Sequence, residues 1–274
     1  MTVINTNVKS LVAQQALTTN NRSLSKAMEQ LSTGKRINSA ADDAAGLSIG
    51  DKMTAQIRGL NQAVRNANDG ISMIQTAEGA LNEVTNMLQR MRELAVQSNN
   101  GTNSSADRTA LNAEYSQLKA EIQRVSDKTT WNGMAIAGSD ATTYAYQVGA
   151  DSGATVTMTF VNIGSTGGTV MSAAGVGVDT VTAAASAITQ LDAAISTVDS
   201  YRSSLGAMVN RLNYTVDNLT NVSTNTSASR SRIMDADYAA TTTELARTQI
   251  IQQAATAMLA QANQAPSSVL SLLK

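Results

Sequence analysis

Carboxylates are the side chains of this sequence best placed to do chemistry. Asp42 and Asp43 are adjacent, and Asp235 and Asp237 are separated by one residue. Paired carboxyl groups can share general acid and base work or begin an oxygen cage for a hard cation. Neither pair has the company such roles need. The chain contains no His and no Cys, which removes an imidazole base, a Ser-His-Asp triad, a thiolate nucleophile, a disulfide and the usual zinc ligands. A hard cation wants a fuller oxygen set than Asp235 and Asp237 offer. No Gly-rich phosphate loop follows a strand pattern. Asp42-Asp43 stands just before a long apolar-periodic stretch, where acidic residues cap and charge a helix N-terminus. No catalytic residue, cofactor or metal is expected.

The apolar residues repeat at the 4-3 spacing of helices that pack at a shallow angle. Met53, Ile57, Leu60, Val64, Ala67, Ile71 and Ile74 form one such seam, prolonged by Leu81, Leu88 and Ala95. Met73, Ala77, Ala80, Val84, Met87, Met91 and Leu94 form a second on the same helix, so its later half touches neighbours on two sides. The spacing returns at Leu111, Tyr115, Leu118, Ile122 and Val125, then from Ala184 to Val198 and from Leu205 to Leu219. Three long helices in one bundle are predicted. A helix from about residue 44 to 97 reaches roughly 80 Å at 1.5 Å per residue, against about 40 Å for a compact domain of this mass. The expected shape is a rod.

Composition agrees with such seams. Twelve Met accompany one Phe, one Trp and six Tyr in 274 residues, a palette suited to helix–helix packing rather than to a globule built on large rings. Charged residues are 15 % of the chain and nearly balanced, with 20 Lys and Arg against 21 Asp and Glu. A net charge of −1 offers no basic field for nucleic acid. No apolar run approaches the roughly 18 residues that span a bilayer, and the helices lack the basic faces of membrane-surface binders. The first residues carry neither the basic flank nor the apolar block of a secretory signal peptide.

The middle of the chain is different. No Lys or Arg occurs between Lys128 and Arg202. Asn132-Gly133 is a tight-turn signal. Tyr144, Tyr146 and Val148 alternate with small residues, as do Val156, Met158 and Phe160, with Asp151-Ser152-Gly153 between them. A β-hairpin is expected at about 142–162, followed by a Gly/Ser/Thr/Ala loop to about 181.

Both ends are weakly amphipathic. Leu17, Leu24, Met28 and Leu31 line one, and Ile251, Ala255, Met258 and Ala262 line the other, with Pro266 expected to break the last helix. Neither end buries much alone, and helices this marginal fray in water. The termini are expected to pair with each other and with other copies. Gly34 and Gly46 read as hinge or turn residues.

Several long motifs resemble those of bacterial flagellins. They are SLSKAMEQLSTGKRINSAADDAAGL at 23–47, INTN at 4–7, RNANDGIS at 65–72, LQRMRELAVQS at 88–98, RIMDADY at 232–238 and QIIQQAATAMLAQANQ at 249–264. Trp131 departs from the Phe that usually precedes Asn-Gly in that family. The resemblance implies a mainly α fold, a long antiparallel bundle or coiled-coil rod with paired terminal helices and one small β-hairpin region. Residues 1–43 and 231–274 would form an inner layer, 44–138 and 182–230 an outer rod, and 139–181 a short variable surface in place of larger outer domains. It implies a structural subunit that polymerises head-to-tail into the helical flagellar filament used for motility, outside the cell. The alternative is another rod-shaped component, such as a hook–filament junction or needle-tip-like protein.

The implied partners are further copies of the chain, the flagellar export apparatus, an export chaperone at the C-terminal region, and the filament cap and hook-junction proteins. Export would proceed without a cleaved signal peptide. The vertebrate flagellin-sensing Toll-like receptor is implied as well, through a pattern that matches Gln89, Arg90, Glu93, Leu94, Gln97 and Glu114. The same residues would serve axial packing in the filament. No nucleic acid partner and no membrane insertion are implied.

Overall fold

The computed structural model describes residues 6–138, 142–164, 170 and 176–271. Among the described residues there are five helices: α1 Val8–Thr33, α2 Ala44–Ser98, α3 Ser105–Lys128, α4 Val181–Met234 and α5 Tyr238–Ser271. Four short strands lie between α3 and α4: β1 Thr130–Trp131, β2 Met134–Ala135, β3 Thr143–Gln147 and β4 Thr155–Thr159. The chain divides into two compact units, residues 58–223 and residues 1–57 with 224–274, the division falling inside α2 and α4.

In residues 58–223 the predicted seams become one large core, with Leu60, Ala63 and Leu219 in a second small cluster. Ile74, Leu81, Leu88, Met91 and Leu94 of α2 meet Tyr115 and Ile122 of α3 and Leu191, Val198, Leu205 and Leu212 of α4. Each such aliphatic side chain contributes roughly 1.5–3 kcal/mol on full burial. Both α2 seams are buried through residue 95 because this helix packs on two sides. A capping box starts α3: the Ser104 hydroxyl accepts from the Asp107 N–H and the Asp107 carboxylate accepts from the Ser104 N–H at 2.9 Å.

The hairpin forms as expected. β3 and β4 pair antiparallel, with Tyr144 opposite Met158 and Tyr146 opposite Val156. Period-2 alternation turns Val156, Met158 and Phe160 into the same core, and the Tyr144 and Phe160 rings meet edge-on at 5.7 Å. A second, smaller ladder pairs β1 with β2 around Asn132-Gly133. The expected single hairpin region is therefore two ladders, since strands of two residues are too short to show alternation in sequence. The predicted loop to 181 lies partly outside the described residues; of its described part, Ile163, Val170 and Val178 are buried in the core.

Two further expectations are corrected. Pro266 does not end the last helix, which runs to Ser271; a proline deletes one i→i−4 bond while the turns on either side close their own. Gly46 is no hinge. It sits inside the first turns of α2, where a Cβ would fall 2.4 Å from an Asp43 carboxylate oxygen and 2.7 Å from Ile37, so its smallness serves close packing. Gly34 is the turn residue, ending α1 with φ +70° and donating its N–H to the Gln30 carbonyl at 2.9 Å.

The carboxylate pairs are structural. Asp43 accepts the Gly46 N–H at 2.8 Å as the cap of α2, and Asp237 accepts the Ala239 N–H at 2.9 Å to cap α5. Asp42 does a different job: it accepts from Lys26 at 2.8 Å and from the Asn38 and Ser39 N–H groups. The Lys26 bond, then those two N–H groups, hold its carboxyl well below the usual range, at about 2.

Candidate functional site

Two surfaces carry the residues singled out by sequence. The first is the antiparallel pair of α1 and α5. Asn7 donates to the Ala262 carbonyl at 2.7 Å, the Ser10 hydroxyl donates to Asn263 at 2.9 Å, and Gln252 donates to Asn21 at 3.1 Å. At the other end the Tyr238 hydroxyl donates to the Leu31 carbonyl. The side chains turned inward recur at 3-4 spacing: Ser10, Ala13, Leu17, Asn20, Leu24, Ala27 and Leu31 on α1. On α5 they are Thr241, Leu245, Thr248, Gln252, Ala255, Leu259 and Ala262. It is the heptad geometry of a coiled coil, but with polar and small residues filling nine of the fourteen places.

Of the predicted assembly residues, Leu17, Leu24, Leu31, Ala255 and Ala262 are half-buried in this seam. Met28, Ile251 and Met258 are not; they face outward at 49 %, 39 % and 66 % exposure. The predicted apolar spacing of α5 thus alternates between the contact line, at Ala255 and Ala262, and a flank of the pair, at Ile251 and Met258. Ser10, Asn20, Thr241 and Thr248 are buried in the seam and were invisible to an apolar-only reading. The signal that finds them is the unbroken 3-4 spacing once Ser, Thr and Asn are allowed into it.

Beside the seam runs an open groove of about 750 Å³. Val8, Val12 and Ala16 of α1 form one wall and Ala255, Met258 and Ala262 of α5 the other, with Lys9 and Gln261 supplying the polar groups. Val8 and Val12 are 54 % and 60 % exposed. Such apolar side chains in a row on a helix pair leave a surface that water wets poorly.

The connectors that join this pair to α2 and α4 are clipped together. Arg36 donates its N–H to the Met234 carbonyl at 2.7 Å and its guanidinium to the Ile233 carbonyl at 2.8 Å, while the Ala236 N–H donates to the Gly34 carbonyl at 3.0 Å. The guanidinium thereby satisfies a carbonyl at the end of α4 that the helix itself leaves without a donor.

The second surface lies on α2 and α3. Arg90 binds Glu93 at 2.9 Å and Glu114 at 2.9 Å. The bond to Glu93, then that to Glu114, raises its guanidinium further above its already high value. Gln89, Arg90, Glu93, Gln97 and Glu114 are all exposed. Leu94 is not part of this surface: it is 1 % exposed and belongs to the core, as its place in the second α2 seam requires. Arg92, absent from the predicted set, pairs with Asp192 of α4 at 2.6 Å.

Among the described residues no group of three or more His, Cys, Asp or Glu could hold a metal, and no helix is long and apolar enough to cross a membrane. What the surfaces offer is apolar area and exposed charge, the means of association.

Comparison with known proteins follows that geometry. The model of the bacterial flagellin N-terminal helical region matches residues 4–142, and that of the bacterial flagellin C-terminal helical region matches residues 188–273. A flagellin of Halalkalibacterium halodurans is 49 % identical over 273 residues, covering 99 % of this chain and all of that one. Flagellin B of Vibrio cholerae is 37 % identical, covering 98 % and 99 % of the two chains. The crystal structure of Bacillus cereus flagellin superposes with a TM-score of 0.51 at 32 % identity, over 61 % of this chain and 94 % of that one. A flagellar hook-associated protein of Vibrio parahaemolyticus, described as putative, shares the fold at a TM-score of 0.60 and 13 % identity, over 71 % and 100 %.

Proposed function

The chain belongs to the bacterial flagellin family, and from that premise we propose how its surfaces divide the work. It is a structural subunit that polymerises into the flagellar filament, and it works in the flagellum outside the cell. Nothing favours the junction or needle-tip alternative, because likeness to the hook-associated protein at 13 % identity concerns the fold alone.

The proposal concerns which residues assemble and which are seen. The paired termini, residues 1–43 with 231–274, form the inner layer of the filament. Residues 44–138 and 182–230 form the outer rod, and 139–181 its variable surface. Leu17, Leu24, Leu31, Ala255 and Ala262 hold the pair together, while Met28, Ile251 and Met258 meet neighbouring copies. The observation that carries this reading is the groove beside Met258, an apolar surface left open in a chain whose family assembles with itself. Covering it with another copy stabilises the contact by roughly 25 cal/mol for each Å² of apolar area.

Arg90, with Gln89, Glu93, Gln97 and Glu114 around it, forms the patch recognised by the vertebrate flagellin-sensing Toll-like receptor and packs axially in the filament. The subunit leaves the cell through the flagellar export apparatus. An export chaperone covers the C-terminal region before assembly, and the filament cap and hook-junction proteins bound the polymer. A chain without disulfides and with thinly packed ends suits passage in an unfolded state.

The experiment is direct. Purified subunit is raised to high concentration with a polymerising salt or short filament seeds and viewed by negative-stain electron microscopy. Uniform filaments are expected, lost when about 40 residues are trimmed from either end. Filaments that grow equally well from trimmed subunits would refute the assignment of assembly to the terminal helices.

A further inference from the structure

The fold treats its methionines unequally. Met73 and Met91 are sealed at 2 % and 0 % exposure and Met158 at 6 %, while Met53, Met87, Met208 and Met234 are half-buried. Among the described residues, Met28, Met134 and Met258 are exposed, at 49 %, 38 % and 66 %. Met258 is the most open of these and the one that lines the groove beside the α1–α5 seam. Met28 is on α1 away from that groove, and Met134 sits on the short β2 strand.

A thioether is an apolar side chain that a single oxygen atom makes polar. In the reaction with hydrogen peroxide a sulfur lone pair forms the S–O bond as the O–O bond breaks. The sulfur is oxidised by two electrons, the peroxide is reduced by two, and water leaves. The product is a chiral sulfoxide whose oxygen is a strong hydrogen-bond acceptor. Around Met258 most of the groove wall is Val8, Val12, Ala16, Ala255 and Ala262, side chains with no hydrogen to donate, while Lys9 and Gln261 supply its polar groups. Closing an apolar surface over that oxygen strips its water and gives little back.

We infer that Met258 is an oxidation site that decides whether a free subunit can assemble, an inference that rests on reading the groove as the face covered by a second copy. The free subunit presents the thioether to solvent, whereas the assembled subunit shields it. Peroxide therefore disables incoming subunits and spares existing filament. A leucine at 258 keeps the size and apolarity of the side chain and loses the sensitivity.

Full-length subunit and preformed filaments are treated with graded hydrogen peroxide, and sulfoxide at each methionine is read by peptide mass spectrometry. Treated subunit is then offered to seeds. Met258 is expected to oxidise at least about tenfold faster in the free subunit than in filaments, because susceptibility follows exposure. Elongation should fall in step with the Met258 sulfoxide fraction and return after reductases for both sulfoxide epimers act together. M258L, compared with its own untreated rate, should lose no elongation to peroxide, while M134L remains sensitive. Undiminished elongation by subunit fully oxidised at Met258 would overturn the inference and leave the reading of the groove intact. Peroxide sensitivity of M258L equal to that of the parent would do the same. Equal oxidation of Met258 in subunit and filament would overturn the groove reading itself, and the inference with it.

Discussion

Asn20 of α1 donates its side-chain amide to the main-chain carbonyl of Thr248 on α5 at 2.8 Å, and both residues are buried. The bond lies midway along a seam whose other places are filled by Leu, Ala, Ser, Thr and Gln. A polar group at such a place fixes which residues face each other, at some cost in stability. Leaving the Asn20 amide buried without an acceptor would cost about 1–3 kcal/mol.

Substitution there is expected to act in two directions. Asn20→Ala should weaken the pair by about 1 kcal/mol, seen as faster hydrogen exchange in both α1 and α5. Asn20→Leu should slow exchange in the isolated subunit by filling the seam with apolar volume. Equal protection in all three proteins would show the bond to be idle.

Leu94 and Arg90 stand four residues apart and should respond differently. Leu94 is sealed in the core, so Leu94→Ala should cost about 2–5 kcal/mol in chemical denaturation. A change below about 1 kcal/mol would contradict its place in the core. Loss of receptor signalling by that variant would report unfolding as much as recognition.

Arg90→Ala removes two exposed ion pairs, to Glu93 and Glu114, of the solvent-screened kind that adds little to stability. The variant should therefore melt close to the parent. Signalling through the receptor should nevertheless fall by roughly tenfold or more, as for a central interface arginine, and filament growth should weaken. A folded Arg90→Ala subunit that signals at full strength would remove this patch from the recognition surface.

Alkali should report on the core. Burial pushes the phenols of Tyr115, Tyr146 and Tyr201 up to about 12. A group whose pKa is raised by folding stabilises the fold below its ordinary value, near 10, and that contribution disappears as pH rises through the folded value. Absorbance at 295 nm should show these three tyrosines ionising late, together with loss of helical circular dichroism. All six tyrosines ionising in one step near pH 10, with helices intact, would contradict their burial.

The bundle was legible in sequence because its seams are long, apolar and regular, as from Met53 to Ala95. The hairpin was legible too, since Val156, Met158 and Phe160 alternate cleanly. The pairing line of α1 and α5 was not. Its buried places include Ser10, Asn20, Thr241 and Thr248, while Ile251 and Met258 face outward, so an apolar reading of α5 reaches the contact line at Ala255 and Ala262 and misses its polar places. Pro266 misled because a residue that weakens a helix need not end it, and Gly46 because a small residue can serve packing instead of turning. Leu94 was grouped with exposed neighbours by the family pattern, although its own spacing already assigned it to the seam.

The central claim is that assembly proceeds through the outward flank of the α1–α5 pair. It is tested most directly by placing a charge there without touching the pairing line, as in Ile251→Asp, and measuring seeded elongation by full-length subunit. Ile251 is 39 % exposed, so the subunit should remain folded with the circular dichroism and melting temperature of the parent. The account predicts that this folded subunit adds to seeds at least about tenfold more slowly, since a carboxylate would be buried against apolar surface. Elongation at the parent rate would contradict it.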